Sequence, residues 1–162
     1  FLKKISIMTK ELTFLVILDD TLEMYNALRY AAQRSARSNG RVAILYTFDT
    51  LEFSHWKAVE DIAEAESREE AESKIKEYEN YILKFTDKKP KKFIMKGDRV
   101  ECIIKFLDAN KFISNFVLAS SPGKTGADPL INTFAIKHSS KIKVPITIIP
   151  PTLTEEEIDN LS

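Results

Sequence analysis

The chain has 162 residues, of which 44% are hydrophobic and 30% charged, and these values are typical of one globular domain. Its 24 basic and 24 acidic residues balance, so no overall field attracts nucleic acid, and no apolar run approaches the roughly 18 residues that span a bilayer. We therefore expect neither a nucleic-acid nor a membrane partner. The single cysteine, Cys102, is expected to be buried and cannot form an internal disulfide, which fits a reducing cytoplasm.

The first half of the chain alternates apolar and helical stretches. Residues 1–12 are expected to form an N-terminal extension, whose part before Met8 is expected not to belong to the native chain. Phe14–Leu18 is a continuous apolar run, which predicts a strand buried on both faces. Asp20 and Glu23 follow with the spacing of a capping box, so we expect them to start the first helix.

The middle of the chain continues this alternation. Val42–Thr47 predicts a second buried strand, and residues 56–84, rich in Ala, Glu and Lys, predict a long and largely exposed helix. Lys92–Met95 predicts a third strand. Asp98 and Glu101 again have capping-box spacing, which predicts a helix through about residue 110.

The last third of the chain completes the pattern. Phe116–Ala119 predicts the fourth strand, and Asp128 is expected to cap a helix over 129–140 with Pro129 at its first position, where the missing N–H costs nothing. Val144–Ile149 predicts the fifth strand. Residues 151–162 are an acidic tail, which we expect to form one short helical turn or to remain mobile.

The five-fold alternation of strand and helix predicts the fold class. We expect a single α/β domain over residues 13–150, a doubly wound five-stranded parallel sheet with helices on both faces. Such sheets bind ligands beyond the carboxyl ends of their strands, where the strand order reverses. Val144–Ile149 is apolar and is expected at a sheet edge, which predicts a homodimer formed through this strand.

The loop from Ser120 to Gly126 is the main candidate site. Its Gly123-Lys124-Thr125 suggests a phosphate-binding P-loop, but that motif requires a glycine five residues earlier, where Leu118 lies within a strand. The loop still carries two serine hydroxyls and a threonine hydroxyl, two glycines and a lysine before a helix N-terminus, which is the chemistry of a phosphate nest. The alternative is a solvated connection without a ligand.

Several features together resemble the universal stress protein family over residues 12–150. The first strand ends in Asp19, at the acidic position that contacts the ligand in nucleotide-binding members. Gly97-Asp98 resembles the glycine–acid pair after strand three, and Val144–Ile149 resembles the terminal strand. The resemblance implies an adenine-nucleotide α-hydrolase-like fold. It also implies a cytoplasmic homodimer and a possible ATP ligand, with magnesium.

The phosphate motif of the ATP-binding members is degraded here. The family pattern is Gly-x2-Gly-x9-Gly-(Ser/Thr); Gly123 matches its second glycine, Ser120 stands at the first, and Asn132-Thr133 stand at the last pair after eight residues instead of nine. Asp128 would repel phosphate unless a cation intervened. The resemblance implies a nucleotide site formed by Ile17, Leu18, Asp19, Thr47, Ala119, Ser120, Gly123, Lys124, Asn132 and Thr133. For Asp19, a share in the cap of the first helix is the alternative role.

Motifs for catalysis or metal binding are missing from the sequence. His55 and His138 are far apart and have no cysteine or histidine cluster beside them, so we expect no metal site. No nucleophile elbow or paired-acid arrangement occurs, so we expect no enzyme, with slow ATP hydrolysis left as an alternative. Phe53 and Trp56 are expected to lie at the pocket mouth, in the core or at an interface.

Two hypotheses for function follow. The first is a universal-stress-type regulatory protein that binds ATP or another adenine nucleotide weakly, which would bias its conformation or its dimer contact. The second is a nucleotide-free interaction protein, whose eroded loop has lost its ligand and whose function lies in dimerisation and partner surfaces.

Overall fold

The computed structural model describes residues 10–123 and 128–162, and these form a parallel five-stranded sheet flanked by helices. The strands are β1 Thr13–Leu18, β2 Arg41–Phe48, β3 Lys91–Lys96, β4 Asn115–Ala119 and β5 Ile146–Ile149. Their order across the sheet is β3-β2-β1-β4-β5, and every neighbouring pair is parallel. The predicted fold class is therefore confirmed.

Helices cover both faces of this sheet. They are α1 Met24–Ser38, α2 Lys57–Ile82, α3 Arg99–Ala109, α4 Pro129–Ile131 and α5 Glu155–Leu161. The cluster of α1, α2 and α5 lies on one face, and α3 packs on the other with the segment that follows α4. Within the described residues, no helix combines the length and the apolar character needed to cross a membrane.

β1 is the central strand and divides the core into two layers. Val16 and Leu18 pack into the cluster of α1 and α2, while Leu15 and Ile17 pack into the cluster that contains α3. All six β1 residues are buried, as the continuous apolar run of the sequence predicts. The structure also confirms that Cys102 is buried.

The first helix begins later than predicted. It starts at Met24, Glu23 is the N-cap residue without a side-chain capping bond, and Asp20 adopts the left-handed conformation with φ 60°. The capping-box prediction for Asp20 and Glu23 is therefore wrong. The Asp20 carboxylate instead accepts hydrogen bonds from Tyr78 Oη at 2.6 Å and Lys74 Nζ at 2.7 Å, which joins the β1–α1 loop to α2.

The segment after β4 also differs from its prediction. In place of one helix over 129–140, α4 has three residues, continues as a π-helical segment over Asn132–Lys137 and ends in a 3-10 turn at Ser139–Lys141. Pro129 does occupy the first position of α4. The Asp128 side chain makes no capping bond to this helix, because its carboxylate accepts hydrogen bonds from Ser120 and Ser121.

The C-terminal residues form a docked helix, so the expectation of a short turn or a mobile tail is wrong. Thr154 caps α5 by accepting a hydrogen bond from the Glu157 backbone N–H at 3.2 Å. Ile158 is fully buried among side chains of the first core layer. Arg29 of α1 donates to both carboxylate oxygens of Asp159, at 2.7 and 2.8 Å, so α5 is joined to α1 by packing and by a bidentate ion pair.

β5 lies at an edge of the sheet, as the sequence predicts. The strand is shorter than the predicted Val144–Ile149, because it pairs with β4 only from Ile146 onward. Pro145, which has no N–H, precedes it, and its carbonyl accepts a hydrogen bond from the Phe116 N–H at 2.9 Å.

Candidate functional site

The candidate site lies where the strand order reverses. β1 and β4 are neighbours, but the chain proceeds from β1 toward β2 and β3 on one side and from β4 toward β5 on the other. A cavity of about 80 Å³ opens beyond the carboxyl ends of these two strands. Its polar lining consists of Asp19, Thr21, Glu23, Ser121 and Asp128.

Asp19 directly follows β1 and starts the loop that leads to α1. Its carboxylate accepts hydrogen bonds from the Thr21 backbone N–H at 3.1 Å and from Thr21 Oγ1 at 2.6 Å. This is an Asx turn, in which the side chain stabilises the loop that it starts. The Asp19 side chain therefore does not cap α1. Its Oδ1 is already hydrogen-bonded within the chain, to Thr21.

The loop after β4 holds a carboxylate of its own chain. The Ser121 backbone N–H donates to both oxygens of Asp128, at 3.1 Å each, and Ser120 Oγ donates to Asp128 Oδ2 at 2.8 Å. A backbone N–H and a hydroxyl at a loop of this kind are the donors that bind a phosphate oxygen. In this protein the anion that they bind is the side chain of Asp128.

A second carboxylate connects the same loop to α1. Ser121 Oγ donates a short hydrogen bond to Glu23 Oε1, although the two residues are 98 positions apart. Both side chains are half-buried. The β4–α4 loop is therefore joined to Asp128 through its backbone and to the start of α1 through the Ser121 hydroxyl.

The charge and size of the cavity disfavour a nucleotide triphosphate. Asp19, Glu23 and Asp128 contribute three carboxylates to the lining, and no basic side chain is found among its described residues. Cavities that bind small molecules typically have volumes of roughly 300–1,000 Å³. A cavity of about 80 Å³ is smaller than such sites, and its described lining offers no basic side chain to pair with phosphate.

The structure separates the residues that the resemblance had grouped as a nucleotide site. Ile17, Asp19 and Ala119 line the cavity, and Ser120 adjoins it through its bond to Asp128. The others lie outside the lining or, for Lys124, outside the described residues: Leu18, Thr47, Gly123, Asn132, Thr133 and Lys124. The cavity is bordered by Pro129, Leu130 and Ile131 of α4, ahead of the predicted Asn132-Thr133 pair.

Thr47 lies on β2, one strand away from the cavity. It is buried at 7% exposure, and its Oγ1 accepts a hydrogen bond of 3.4 Å from Arg99 Nε at the start of α3. The nearby Gly97 has φ 135°, a conformation that glycine adopts readily and other residues rarely do. Gly97 and Thr47 thus connect β2 and β3 with the start of α3.

Gly123 has φ 80°, and no atom of the described residues lies within 4 Å of the position that a Cβ would occupy. The glycine therefore serves the turn of the backbone rather than a tight contact.

The described residues favour neither a metal site nor a reactive thiol. Among the described residues, no cluster of three His, Cys, Asp or Glu side chains is arranged to hold a metal ion. Burial raises the pKa of the Cys102 thiol, which disfavours the reactive thiolate.

Phe53 and Trp56 lie away from the cavity. Neither lines it, and both are exposed, Phe53 at 44% and Trp56 at 73%. The expectation that they guard the pocket mouth or enter the core is therefore wrong, and an interface is the role that remains.

Sequence reasoning missed three residues that shape the cavity: Thr21, Glu23 in its contact with Ser121, and Ser121 itself. It noted Asp128 only as a charge that would repel phosphate. The Asp19-x-Thr21 spacing of an Asx turn is a local signal for Thr21, but no local pattern marks the other contact, because Glu23 and Ser121 meet only after β1 and β4 pair.

Comparisons with known proteins agree with the parallel α/β fold. A sequence model described as the universal stress protein family matches residues 12–150. The chain is similar to the structure of universal stress protein UspA from Lactobacillus plantarum, with 14% identity and a TM-score of 0.66 over 86% of this chain and 98% of that one.

Two further solved structures are similar. A universal stress protein in complex with cAMP shares 16% identity, with a TM-score of 0.60 over 87% of this chain and 98% of that one. A universal stress protein from Archaeoglobus fulgidus shares 15% identity, with a TM-score of 0.58 over 85% and 93%. No protein of curated function matches the sequence. At these identities the structural similarities show the fold.

Proposed function

We propose that this chain, which belongs to the universal stress protein family, is a non-enzymatic regulatory protein that functions without bound ATP. The observation that supports the proposal is the contact of Asp128 with Ser120 and Ser121. The donors that would hold a phosphate are bound to an internal carboxylate. The protein would then act through dimerisation and contacts with partner proteins.

The energetics of the site support this proposal. A phosphate that entered the loop would have to displace the half-buried Asp128 carboxylate from these donors. Hydrogen bonds to a charged group contribute about 1.5–3 kcal/mol each. Asp19 and Glu23 add like charge in the same cavity. Both effects oppose the binding of a highly charged triphosphate.

The exposed edge of the sheet supports dimerisation. β5 is an edge strand, and Ile148 on it is exposed at 39%. An apolar edge strand offers unpaired backbone groups and side chains to a second chain. We propose a homodimer through β5. The buried free thiol of Cys102 is consistent with a cytoplasmic location.

Weak binding of an adenine nucleotide is the second candidate function. One solved relative is a universal stress protein in complex with cAMP. A cyclic monophosphate carries a single negative charge and would meet less repulsion from the three carboxylates than ATP. The open backbone at Gly123 is the feature of this chain that favours access to the loop. Slow ATP hydrolysis would need a triphosphate bound at the same loop, so the ATP titration described below tests it as well.

Calorimetric titration with ATP and magnesium, and separately with cAMP, tests the proposal. We expect no saturable heat with ATP for the wild type. Saturable binding of ATP that is lost in Gly123→Val and retained in the control Ser140→Val would overturn the proposal. Binding of cAMP alone would support the second candidate. Circular dichroism of both variants verifies that they fold, because valine is strained at the positive φ of Gly123.

A further inference from the structure

An apolar surface that shares no residue with the strand-end cavity lies at the beginning of α2. Five large hydrophobic side chains there are exposed: Leu51, Phe53, Trp56, Val59 and Ile62. We call these five residues the α2 patch. Trp56 is exposed at 73%, Leu51 at 71% and Ile62 at 60%, so three of them offer most of their surface to solvent. Phe53, Val59 and Ile62 line one groove, and apolar surface gathered in this way marks an interaction site in folded proteins.

Three residues of the α2 patch line a groove beside α2. Phe53, from the 3-10 turn Leu51–Phe53, lines it together with Val59, Ile62, Glu66 and Glu70 of α2. Its volume is about 240 Å³. From Val59 to Glu70 the helix advances by roughly 16 Å, or about three turns, which suits a helix laid along the groove.

The surroundings of the groove are acidic. Residues 57–70 contain six acids and two bases, a net charge of −4. Lys96 pairs with Glu60 and Glu64, and Lys74 pairs with Glu70. Glu66 and Glu69 form no ion pair with any other residue that the structure describes. An apolar groove with unpaired acids beside it therefore complements a partner that is apolar on one side and basic at its margins.

We propose that the α2 patch binds a basic amphipathic helix of a partner protein. Apolar side chains of that helix cover Trp56 and Ile62, and its Lys or Arg residues pair with Glu66 and Glu69. A second copy of the chain fits less well, because a symmetric contact would bring the acids Glu66 and Glu69 of the two copies together. An anionic membrane is repelled for the same reason. The surface shares no residue with the cavity, so its test is independent of nucleotide binding.

Trp56 reports directly on this surface, because it is the only tryptophan of the chain. The probe is a synthetic tryptophan-free peptide of leucine and lysine, arranged so that the leucines lie on one face of a helix. We expect its addition to shift the Trp56 emission to shorter wavelength in a saturable way. Higher salt weakens the binding, since ion pairs at the rim are screened.

Matched variants separate the apolar contribution from the charged one. Ile62→Gln is expected to weaken peptide binding by about tenfold, from the apolar burial that it removes, whereas Ile136→Gln, at an exposed isoleucine elsewhere, leaves it unchanged. Glu66→Gln combined with Glu69→Gln weakens binding and reduces its salt dependence. Glu156→Gln on α5 is the control for charge.

Four results would overturn the proposal. The first is no emission shift with the leucine–lysine peptide, and the second is equal binding of a leucine–glutamate peptide of the same pattern. The third is an emission shift that follows protein concentration without peptide, which indicates a second copy as the occupant. The fourth is a shift with phosphatidylglycerol vesicles but not with the peptide, which indicates a membrane.

Discussion

Both carboxylate oxygens of Asp128 lie 3.1 Å from the backbone nitrogen of Ser121. This contact joins the start of α4 to the end of β4 across the position that an anion would take at the switch point of the sheet. It gives the loop an internal anion in place of a bound one. The donors of Ser120 and Ser121 are therefore satisfied without a ligand, which is the central property that we assign to this protein.

The contact between Ser121 and Glu23 should stabilise the fold. Ser121→Ala is expected to lower the free energy of unfolding by about 1 kcal/mol, because it removes a half-buried hydrogen bond to a carboxylate. Urea unfolding measures the change, and a double-mutant cycle with Glu23→Ala, which removes the acceptor, isolates the pair. Ser140→Ala at an exposed site is the control. Additive effects of the two substitutions would show that the residues do not interact.

Asp20 should make the stability depend on pH in the acid range. Burial tends to raise the pKa of Asp20, but hydrogen bonds from Lys74 and Tyr78 outweigh it and lower the pKa overall. The stabilisation is thus complete above the unfolded-state pKa of about 3.9 and is lost as the pH falls through the lower folded-state pKa.

The test of this pH dependence is Asp20→Asn, since asparagine tolerates the left-handed backbone at this position. We expect the variant to unfold at lower urea concentration than the wild type at pH 7. The difference should shrink in strongly acidic buffer, where Asp20 is protonated. Asp87→Asn, at an exposed acid, is the control. A difference that stays constant with pH would contradict the assignment.

Docking of α5 should contribute to stability through Ile158. Ile158→Ala is expected to lower the free energy of unfolding by about 2–4 kcal/mol, as for other buried large-to-small substitutions. Leu161→Ala, on the same helix but with its side chain 65% exposed, should change it by less than about 0.5 kcal/mol. Equal effects of the two would indicate that α5 does not pack on the core in solution.

The edge strand β5 should mediate dimerisation. Ile148→Lys places a charge on the exposed side chain of this strand and is expected to convert a dimer into a monomer in sedimentation at micromolar concentration. Ile136→Lys, at an exposed isoleucine outside the sheet, should leave the dimer intact. A wild-type protein that sediments only as a monomer would contradict the proposed dimer.

Much of the fold could be predicted from the sequence because its signals are local. The apolar run at β1 reports burial on both faces, and Asp98 accepts a hydrogen bond from the Glu101 N–H at 3.1 Å, as its capping-box spacing predicts. The same spacing at Asp20 and Glu23 gave a wrong prediction of a helix cap. The reason is that Tyr78 and Lys74, more than 50 residues away, bind the Asp20 carboxylate. A tertiary contact there replaces a local one.

The docking of α5 also depends on tertiary contacts that local sequence signals do not reveal. Its acidic sequence has few apolar residues, and the one that anchors it, Ile158, has no periodic pattern around it that marks burial. Its docking depends on Arg29, 130 positions away from Asp159.

The location of the candidate site could be predicted, but its contacts could not. The switch point follows from the order of strands and helices, and Asp19 and Ala119 lie there as expected. The role of Asp128 depends on the orientation of its side chain toward Ser121, seven residues earlier in the chain. No sequence rule fixes the course of the loop between them. The family pattern predicts Asn132 and Thr133 at the cavity. The residues of α4 that line it are instead Pro129, Leu130 and Ile131.

The most direct test of the account is a calorimetric comparison of ATP binding, with magnesium, by the wild type and Asp128→Ala. Removal of the internal carboxylate frees the Ser121 N–H and lowers the negative charge of the cavity. We predict no saturable binding to the wild type and measurable binding to the variant, a gain of at least about tenfold in affinity. Asp108→Ala, at an exposed acid of α3, should bind no better than the wild type. Tight binding of ATP by the wild type that Asp128→Ala leaves unchanged or weakens would contradict the account.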